Sequence, residues 1–112
     1  MVEYIPDRGD VVWLSFNPQK GHEQTGRRPA LVLTPASYNA KVGLAIFCPV
    51  TSKQKGYPFE VIIPDDYELK GVVLSDQVKN LDWRARDATF ICKLSHPTMI
   101  EVSNKLKALL PS

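Results

Sequence analysis

The polar connection KGHEQTGRRP, residues 20–29, contains most of the side chains that could act on a phosphate or move a proton. His22 titrates near neutrality without help, and Glu23 could serve as a general base if its pKa were raised. Arg28 precedes Pro29, which disfavours helix there and anchors Arg28 at the start of an apolar run. Such a guanidinium suits bidentate contact with a phosphate. Two simpler interpretations stay open: a salt bridge between Arg28 and Glu23, which would keep Glu23 ionised, and a solvated His22.

Thr51 and Gln77 follow predicted strands and add polar groups suited to nucleic acid. A hydroxyl at a strand end can donate to a phosphate oxygen, although β propensity alone also accounts for Thr51. The amide of Gln77 could pair with a base edge, although a surface glutamine needs no such role. Basic side chains occur in three groups: Arg27 with Arg28, Lys53 with Lys55, and Lys79 with Arg84 and Arg86. Charge alone favours a mixed, solvated surface.

Aromatic side chains could supply stacking platforms for unpaired bases. The candidates are Trp13, Phe16, Tyr57 and Trp83, although most buried aromatics belong to a core. By alternation, Trp13 and Phe16 face opposite sides of their strand. Phe16, followed by Asn17 at the mouth of the polar connection, is the better exposed candidate of this pair.

Length and composition favour one domain spanning residues 1–112. A net charge of +2 and a pI near 8.6 permit a nucleic-acid partner without requiring one. Cys48 and Cys92 each lie in an apolar run, which is typical of free thiols in a reducing compartment. The cysteines and histidines have no metal-ligand spacing, and no P-loop, nucleophile-elbow or HExxH motif occurs. No signal peptide or membrane-spanning run is present, so we expect a cytoplasmic protein.

The sequence as a whole predicts a mostly β structure. Strands are predicted at residues 11–16, 29–34, 44–51, 59–64, 71–78 and 88–94, a helical turn or loop at 35–43, and a turn at 79–86. Pro49 indicates an edge or a bulge. Short connections between neighbouring strands favour a small antiparallel barrel or strongly curved sheet rather than βαβ units. Function is then expected on loops and faces.

The sequence predicts an amphipathic helix at the end of the chain. Met99, Val102, Leu106 and Leu109 recur at three- and four-residue steps. Ser95 can act as the N-cap with Pro97 in the first turn, or Thr98 and Glu101 can form a capping box. Pro111 is expected to end the helix, which would pack on the barrel.

These segments together resemble the MazF/PemK toxins of bacterial toxin–antitoxin systems. The shared stretches are RGDVVW, GHEQTGRRPALVL, PVT, KGYPFEV and GVVLSDQVKNLDWRAR, followed by a closing helix. They cover almost the whole chain in order, and the combination G-x-E-Q-x-G-x-R-P with later P-V-T and D-Q-V is specific. KGYPFEV and WRAR resemble the MazF branch in particular.

The resemblance implies an SH3-like, plug-type β-barrel and a homodimer. It also implies a metal-free, cofactor-free, ribosome-independent endoribonuclease that cuts single-stranded RNA, chiefly mRNA, at a short sequence. In the family the ribose 2′-hydroxyl attacks the adjacent phosphate, which leaves a 2′,3′-cyclic phosphate and a 5′-hydroxyl. The arginine of the R-P step corresponds to Arg28, the threonine of P-V-T to Thr51 and the glutamate of G-x-E-Q to Glu23. RNA-contacting positions correspond to Phe16, Asn17, Lys55, Gln77, Lys79 and Arg86.

The chemistry of this reaction fits these residue types. Arg28 and Thr51 could stabilise the charge that grows on the non-bridging oxygens. Arg28 is a poor base because it is always charged, so Glu23 becomes the candidate for a base or an orienting group. Position 22 varies in the family, which reduces His22 to a candidate RNA contact. The assignment of the proton-transfer roles stays open.

Family membership would also imply an antitoxin whose acidic, largely disordered tail folds over the RNA groove. A gyrase inhibitor similar to the CcdB toxins is an alternative on a similar fold. The sequence ends KALLPS without the aromatic residue that the CcdB contact uses, which disfavours that alternative. A non-cleaving RNA-binding homologue is a further alternative, disfavoured by the presence of Arg28 and Thr51.

Overall fold

The elements follow the apolar runs of the sequence. A computed structural model of the protein describes residues 3–16 and 26–111, without the side chain of Phe16. Within these ranges the chain forms β1 (Asp10–Phe16), β2 (Gly26–Val32), α1 (Ala36–Val42), β3 (Leu44–Thr51), β4 (Glu60–Ile62), β5 (Val72–Leu74), β6 (Lys79–Asp82), β7 (Thr89–Lys93) and α2 (His96–Lys107). The predicted helical turn is α1, which Gly43 closes in the left-handed conformation that glycine tolerates.

β3 is the centre of an antiparallel sheet in which the described strands have the order β4-β5-β3-β2-β1-β7. One side of β3 pairs with β2. Its other side pairs with β6 over Leu44–Phe47 and then with β5 at Val50 and Thr51. Because β3 changes partners along its length, the sheet curls. The prediction of a mainly antiparallel, curved β structure with one C-terminal helix is confirmed.

One local prediction in this sheet is wrong, and another is wrong in part. Residues 79–82, predicted as part of a turn, form β6, and only the residues after Asp82 turn. Their polar, mostly exposed side chains carry no apolar alternation, so only the pairing with β3 defines the strand. Pro49 lies in the central strand opposite Ala30, not at an edge. It falls where β3 has left β6 and has not yet met β5.

Apolar clusters pack on both faces of the sheet. One face holds the larger cluster, which includes Val11, Leu31, Cys48, Val61 and, from α2, Met99 and Val102. The other face holds a smaller cluster of Val12, Leu14, Ala30, Val32, Ala45, Phe47 and Trp83. Both cysteines are free. Burial, followed by the charge of Asp76, raises the pKa of the Cys48 thiol to about 12, so this thiol stays protonated and acts as a small apolar group.

Trp83 belongs to this smaller cluster. Its side chain is 2% exposed, and its indole N–H donates to the carbonyl oxygen of Asn39 at 3.0 Å. The prediction that Trp83 could stack on RNA bases is therefore wrong. Asn39 is itself fully buried and donates to the carbonyl oxygens of Pro6 and Thr34 at 2.7 and 2.9 Å, which ties α1 to the N-terminal segment.

α2 begins after Ser95 as predicted, with Pro97 in its first turn. The Ser95 hydroxyl pairs with the Thr98 hydroxyl at 3.0 Å instead of capping a backbone N–H. The alternative capping box is not adopted because the helix starts before Thr98. The helix ends at Lys107, so Leu109 lies beyond it and is exposed. In the part of the chain that the structure describes, no helix has the length and apolar character needed to cross a membrane.

Candidate nucleic-acid interface

Arg28 and Thr51 lie on the same face of the sheet. β2 and β3 pair in the register Ala30 to Pro49, and each candidate lies two residues beyond that pair. Since residues two apart on a strand share a face, extending this register places Arg28 opposite Thr51. Arg28 is exposed, and Thr51 is half-buried at the end of β3. The register therefore brings together the two residues that the resemblance names for the chemistry.

The two adjacent arginines have different surroundings. Arg27 points to the opposite face, where its guanidinium donates to the hydroxyls of Ser15 and Thr89 at 2.8 and 2.7 Å. Arg28 lies opposite Leu14 on β1, and its guanidinium makes no hydrogen bond or ion pair with any group in residues 3–16 and 26–111. A salt bridge from Arg28 to Glu23 falls outside the described residues. Of the two, Arg28 is the guanidinium that this part of the structure leaves available to a ligand.

An apolar depression lies beside Arg28. Its lining consists of Leu14, Ala30, Phe47, Pro49, Leu81 and the side chain of Lys79. Lys79 begins β6 opposite Phe47, so it shares the face of Ala30 and Arg28. We call this surface the Arg28 face and define it by Leu14, Arg28, Ala30, Phe47, Pro49, Thr51 and Lys79. It combines an apolar floor with two exposed cations and a hydroxyl.

Lys55 lies in the connection from β3 to β4, and Glu60 fixes the backbone of that connection. Glu60 is 8% exposed as a residue. Its carboxylate accepts hydrogen bonds from the backbone N–H of Gly56 at 2.9 Å and from that of Lys55 at 3.1 Å. The Thr51 hydroxyl accepts the backbone N–H of Lys53 at 3.2 Å, which turns the chain as it leaves β3. The exposed side chains of Lys53 and Lys55 therefore project from a segment held at both ends.

We expect Glu60→Gln to loosen this connection. The amide puts an NH2 group in place of Oε2, which accepts the Lys55 N–H at 3.1 Å. That N–H then keeps only its longer contact of 3.3 Å to Oε1, which also accepts from Gly56. The free energy of unfolding should fall by about 1–3 kcal/mol, and the amide protons of Lys55 and Gly56 should exchange faster. Glu101→Gln is the control because it removes only a surface contact with Lys105 at 4.0 Å. Equal stability and exchange in both variants would contradict this role of Glu60.

Gln77 and Arg86 lie in separate turns. Gln77 is exposed, and its backbone N–H donates to the carbonyl oxygen of Leu74 at 3.1 Å in the turn between β5 and β6. Arg86 follows β6 and is half-buried. Its guanidinium donates to the carbonyl oxygen of Ser15 at 3.3 Å, and its own carbonyl accepts the N–H of Ser15 at 2.8 Å. Arg86 is thus attached to the end of β1, next to the strand that carries Arg28.

Four sequence candidates fall wholly or partly outside the described residues. Asn17, His22 and Glu23 lie outside them entirely. Phe16 ends β1 opposite Gly26, and its side chain is not described. Of the remaining aromatic candidates, Trp13 and Tyr57 are exposed.

Sequence reasoning missed two residues that shape this interface. Glu60 occupies a buried position of a strand-like run, and a charged residue in such a position is a signal for a specific partner. Gly71 precedes β5 with φ of 139°, and a Cβ at this position would lie 2.3 Å from the carbonyl oxygen of Thr51. A glycine directly before a strand signals such a close backbone approach. The contact that requires it is visible only in the fold.

The comparisons with known proteins identify the family of this chain. The family described as PemK-like, MazF-like toxin of type II toxin–antitoxin system matches residues 7–110. The Escherichia coli K12 protein named endoribonuclease toxin MazF is 54% identical over 86 residues, which are 77% of this chain and 77% of that protein. The E. coli protein named endoribonuclease PemK is 32% identical over 111 residues, covering 93% of this chain and 81% of that protein.

Solved structures give the same result. The crystal structure of MazF (Form-I) from Deinococcus radiodurans matches with a TM-score of 0.88 and 54% identity, covering 96% of this chain and 98% of that one. A MazF chain in the MazE–MazF crystal structure (Form-II) from the same organism matches with a TM-score of 0.91 and 54% identity, covering 96% and 97%. This chain belongs to the PemK-like, MazF-like family of type II toxin–antitoxin toxins.

Proposed function

We propose that this protein is the toxin of a type II toxin–antitoxin system and acts as a sequence-specific, ribosome-independent endoribonuclease. Its substrate is single-stranded RNA, chiefly mRNA, and it needs no metal or cofactor. The attack of a ribose 2′-hydroxyl on the adjacent phosphate leaves a 2′,3′-cyclic phosphate and a 5′-hydroxyl. The relatives named endoribonucleases support the activity.

The observation that supports the proposal is the β2–β3 register, which, extended from Ala30 and Pro49, sets Arg28 opposite Thr51 on one face. The Arg28 guanidinium makes no hydrogen bond or ion pair inside the described residues. Negative charge grows on the non-bridging oxygens during attack, and a guanidinium with a nearby hydroxyl can stabilise it. In-line attack also needs the RNA held in one conformation, so positioning supplies much of the acceleration. The apolar floor beside Arg28 and Lys79 suits a base and its neighbouring phosphate.

The catalytic residues in this proposal are Arg28, Thr51 and Glu23. Arg28 stabilises the transition state, Thr51 donates to a phosphate oxygen, and Glu23 acts as the base or orients the attacking hydroxyl. The proposed RNA contacts are Phe16, Asn17, His22, Lys55, Gln77, Lys79 and Arg86. Unpaired RNA suits this surface because its bases can splay onto aromatic and polar side chains.

The finer features of the proposal follow from the family. The fold is an SH3-like, plug-type barrel, residues 1–112 form one domain, and two copies make a homodimer in the bacterial cytoplasm. The natural inhibitor is an antitoxin whose acidic, disordered tail covers the RNA surface. Lys53, Lys55 and Lys79 are exposed cations that such a tail would meet.

One experiment tests the proposal directly. Purified protein is incubated with a long unstructured RNA in EDTA, and the ends of the products are mapped. Discrete cuts that carry cyclic phosphates and 5′-hydroxyls are the expected result. Intact RNA, particularly if the same preparation inhibits DNA gyrase, would overturn it.

A further inference from the structure

Arg27 joins three parts of the chain on the face of the sheet opposite the Arg28 face. Its Nη1 donates to the hydroxyl of Ser15 at 2.8 Å, and its Nη2 donates to the hydroxyl of Thr89 at 2.7 Å. The same Nη2 donates to the carbonyl oxygen of Asp87 at 2.8 Å and lies 3.4 Å from that of Trp13. One side chain on β2 thus contacts β1, β7 and the turn that connects β6 to β7.

The hydrogen bonds, not the ion pair, account for this attachment. The Arg27 guanidinium lies 3.6 Å from the Asp87 carboxylate, but the Asp87 side chain is 85% exposed, so water screens that attraction. The bonds to the Asp87 carbonyl and the Thr89 hydroxyl are short and charge-assisted, which makes them stronger than neutral ones. The carbonyl contact would persist even without the Asp87 carboxylate.

Asp87 has an unusual backbone conformation. Its φ of 55° lies in the left-handed region, and in the described residues it is the one residue other than glycine with a positive φ. Such a conformation is unfavourable for a residue with a Cβ and persists where surrounding contacts hold it. Arg27 binds the carbonyl oxygen of this residue, so it supplies one of those contacts.

Arg86 precedes Asp87 in this turn, and both Arg86 and Arg27 form hydrogen bonds with Ser15. The Ser15 backbone exchanges two hydrogen bonds with Arg86, at 2.8 Å and 3.3 Å. The Ser15 hydroxyl accepts from Arg27. Removing Arg27 would therefore loosen Arg86 from both directions, through Ser15 and through Asp87.

We propose that Arg27 is a positioning residue for RNA cleavage, because it locks the turn that carries Arg86 against the ends of β1 and β2. This inference rests on the proposed endoribonuclease function. Arg27 needs no contact with the RNA, since it faces away from Arg28. Its effect reaches the substrate through the placement of Arg86, and a displacement of about 1 Å at such a contact can cost roughly 100-fold in rate.

The test compares Arg27→Met with Arg8→Met. Arg8 makes similar structural bonds far from the Arg28 face, to the carbonyl oxygen of Leu33 and the hydroxyl of Ser103, both at 2.7 Å. We expect Arg27→Met to lower the cleavage rate under saturating RNA by about 10- to 100-fold, and Arg8→Met to leave it within threefold. Thr89→Val removes the hydroxyl that accepts from Arg27 at 2.7 Å and donates to the Asp87 carbonyl oxygen at 3.1 Å, but it keeps the bond from Arg27 to that carbonyl. It should shift the rate in the same direction by less.

A double-mutant cycle with Arg86→Met tests the route of the effect. If Arg27 acts through Arg86, adding Arg27→Met to Arg86→Met should cost less than threefold. The proposal is overturned if Arg27→Met lowers the cleavage rate as much in the Arg86→Met background as in the wild-type protein. It is also overturned if the cleavage rate of Arg27→Met is within threefold of that of Arg8→Met. If the wild-type protein leaves RNA intact, the proposed function fails and the positioning role of Arg27 in cleavage fails with it. Amide exchange at residues 86–89, faster in Arg27→Met than in Arg8→Met, then still shows whether Arg27 holds the turn.

Discussion

Arg28→Ala is expected to lower the rate of RNA cleavage by at least about 100-fold, the usual cost of losing a group that stabilises transition-state charge. Folding should be unaffected, because Arg28 is exposed and its guanidinium makes no hydrogen bond or ion pair inside residues 3–16 and 26–111. The measurement is a single-turnover cleavage assay in EDTA with end mapping. Thermal unfolding and size-exclusion chromatography show whether the fold and the proposed dimer persist.

The matched control for Arg28 is Arg84→Ala. Arg84 is also an exposed arginine, but its guanidinium already has partners: it pairs with Glu3 at 2.8 Å and lies over the Trp83 ring at 4.1 Å. Arg84→Ala should therefore change stability slightly and leave cleavage within threefold. Arg28→Lys should recover only part of the rate, because an ammonium keeps the charge without the two-pronged geometry. Near-normal cleavage by Arg28→Ala would remove Arg28 from the catalytic assignment.

Sequence pattern predicts well the elements that are defined by residues close together in the chain. The strand at 44–51 matches β3 over its full length, because an apolar run ends in a polar loop. The stretch before Gly43 forms a helix of seven residues that ends where glycine allows a left-handed cap. Arg28 could be singled out because Pro29 follows it directly, and the register then places it on the face of Thr51.

The elements that were missed depend on partners distant in sequence. β6 consists of mostly exposed polar residues, and its pairing with β3 decides that it is a strand. Trp83 looks like a stacking residue until its burial against Asn39 is known. Arg27 and Arg28 are chemically identical neighbours, and alternation across the strand gives them opposite surroundings. Local pattern identifies candidate residues, whereas the fold decides which of them remain available to a ligand.

Gly71→Ala should damage both stability and cleavage, since the backbone of Gly71 passes directly against Thr51. A Cβ at Gly71 would lie 2.3 Å from the Thr51 carbonyl oxygen and 3.0 Å from its carbonyl carbon. These are backbone atoms, so the end of β3 would have to move, and the φ of 139° adds strain for any L residue. We expect the free energy of unfolding to fall by more than about 3 kcal/mol. Cleavage by the folded fraction should fall roughly 100-fold, because Thr51 is displaced.

Gly43→Ala is the control, because it introduces the strain of a positive φ without a steric clash like that between a Cβ at Gly71 and Thr51. Gly43 also has a positive φ, of 80°, but a Cβ there meets only the flexible end of Arg84 at 3.7 Å, an ordinary contact. This control should therefore lose only about 1–2 kcal/mol, the cost of a left-handed residue, and should cleave RNA normally. Urea unfolding of both variants, with cleavage measured where each is folded, makes the comparison. If the two alanine variants lose equal stability and both cleave normally, then the close passage of Gly71 does not fix the position of Thr51.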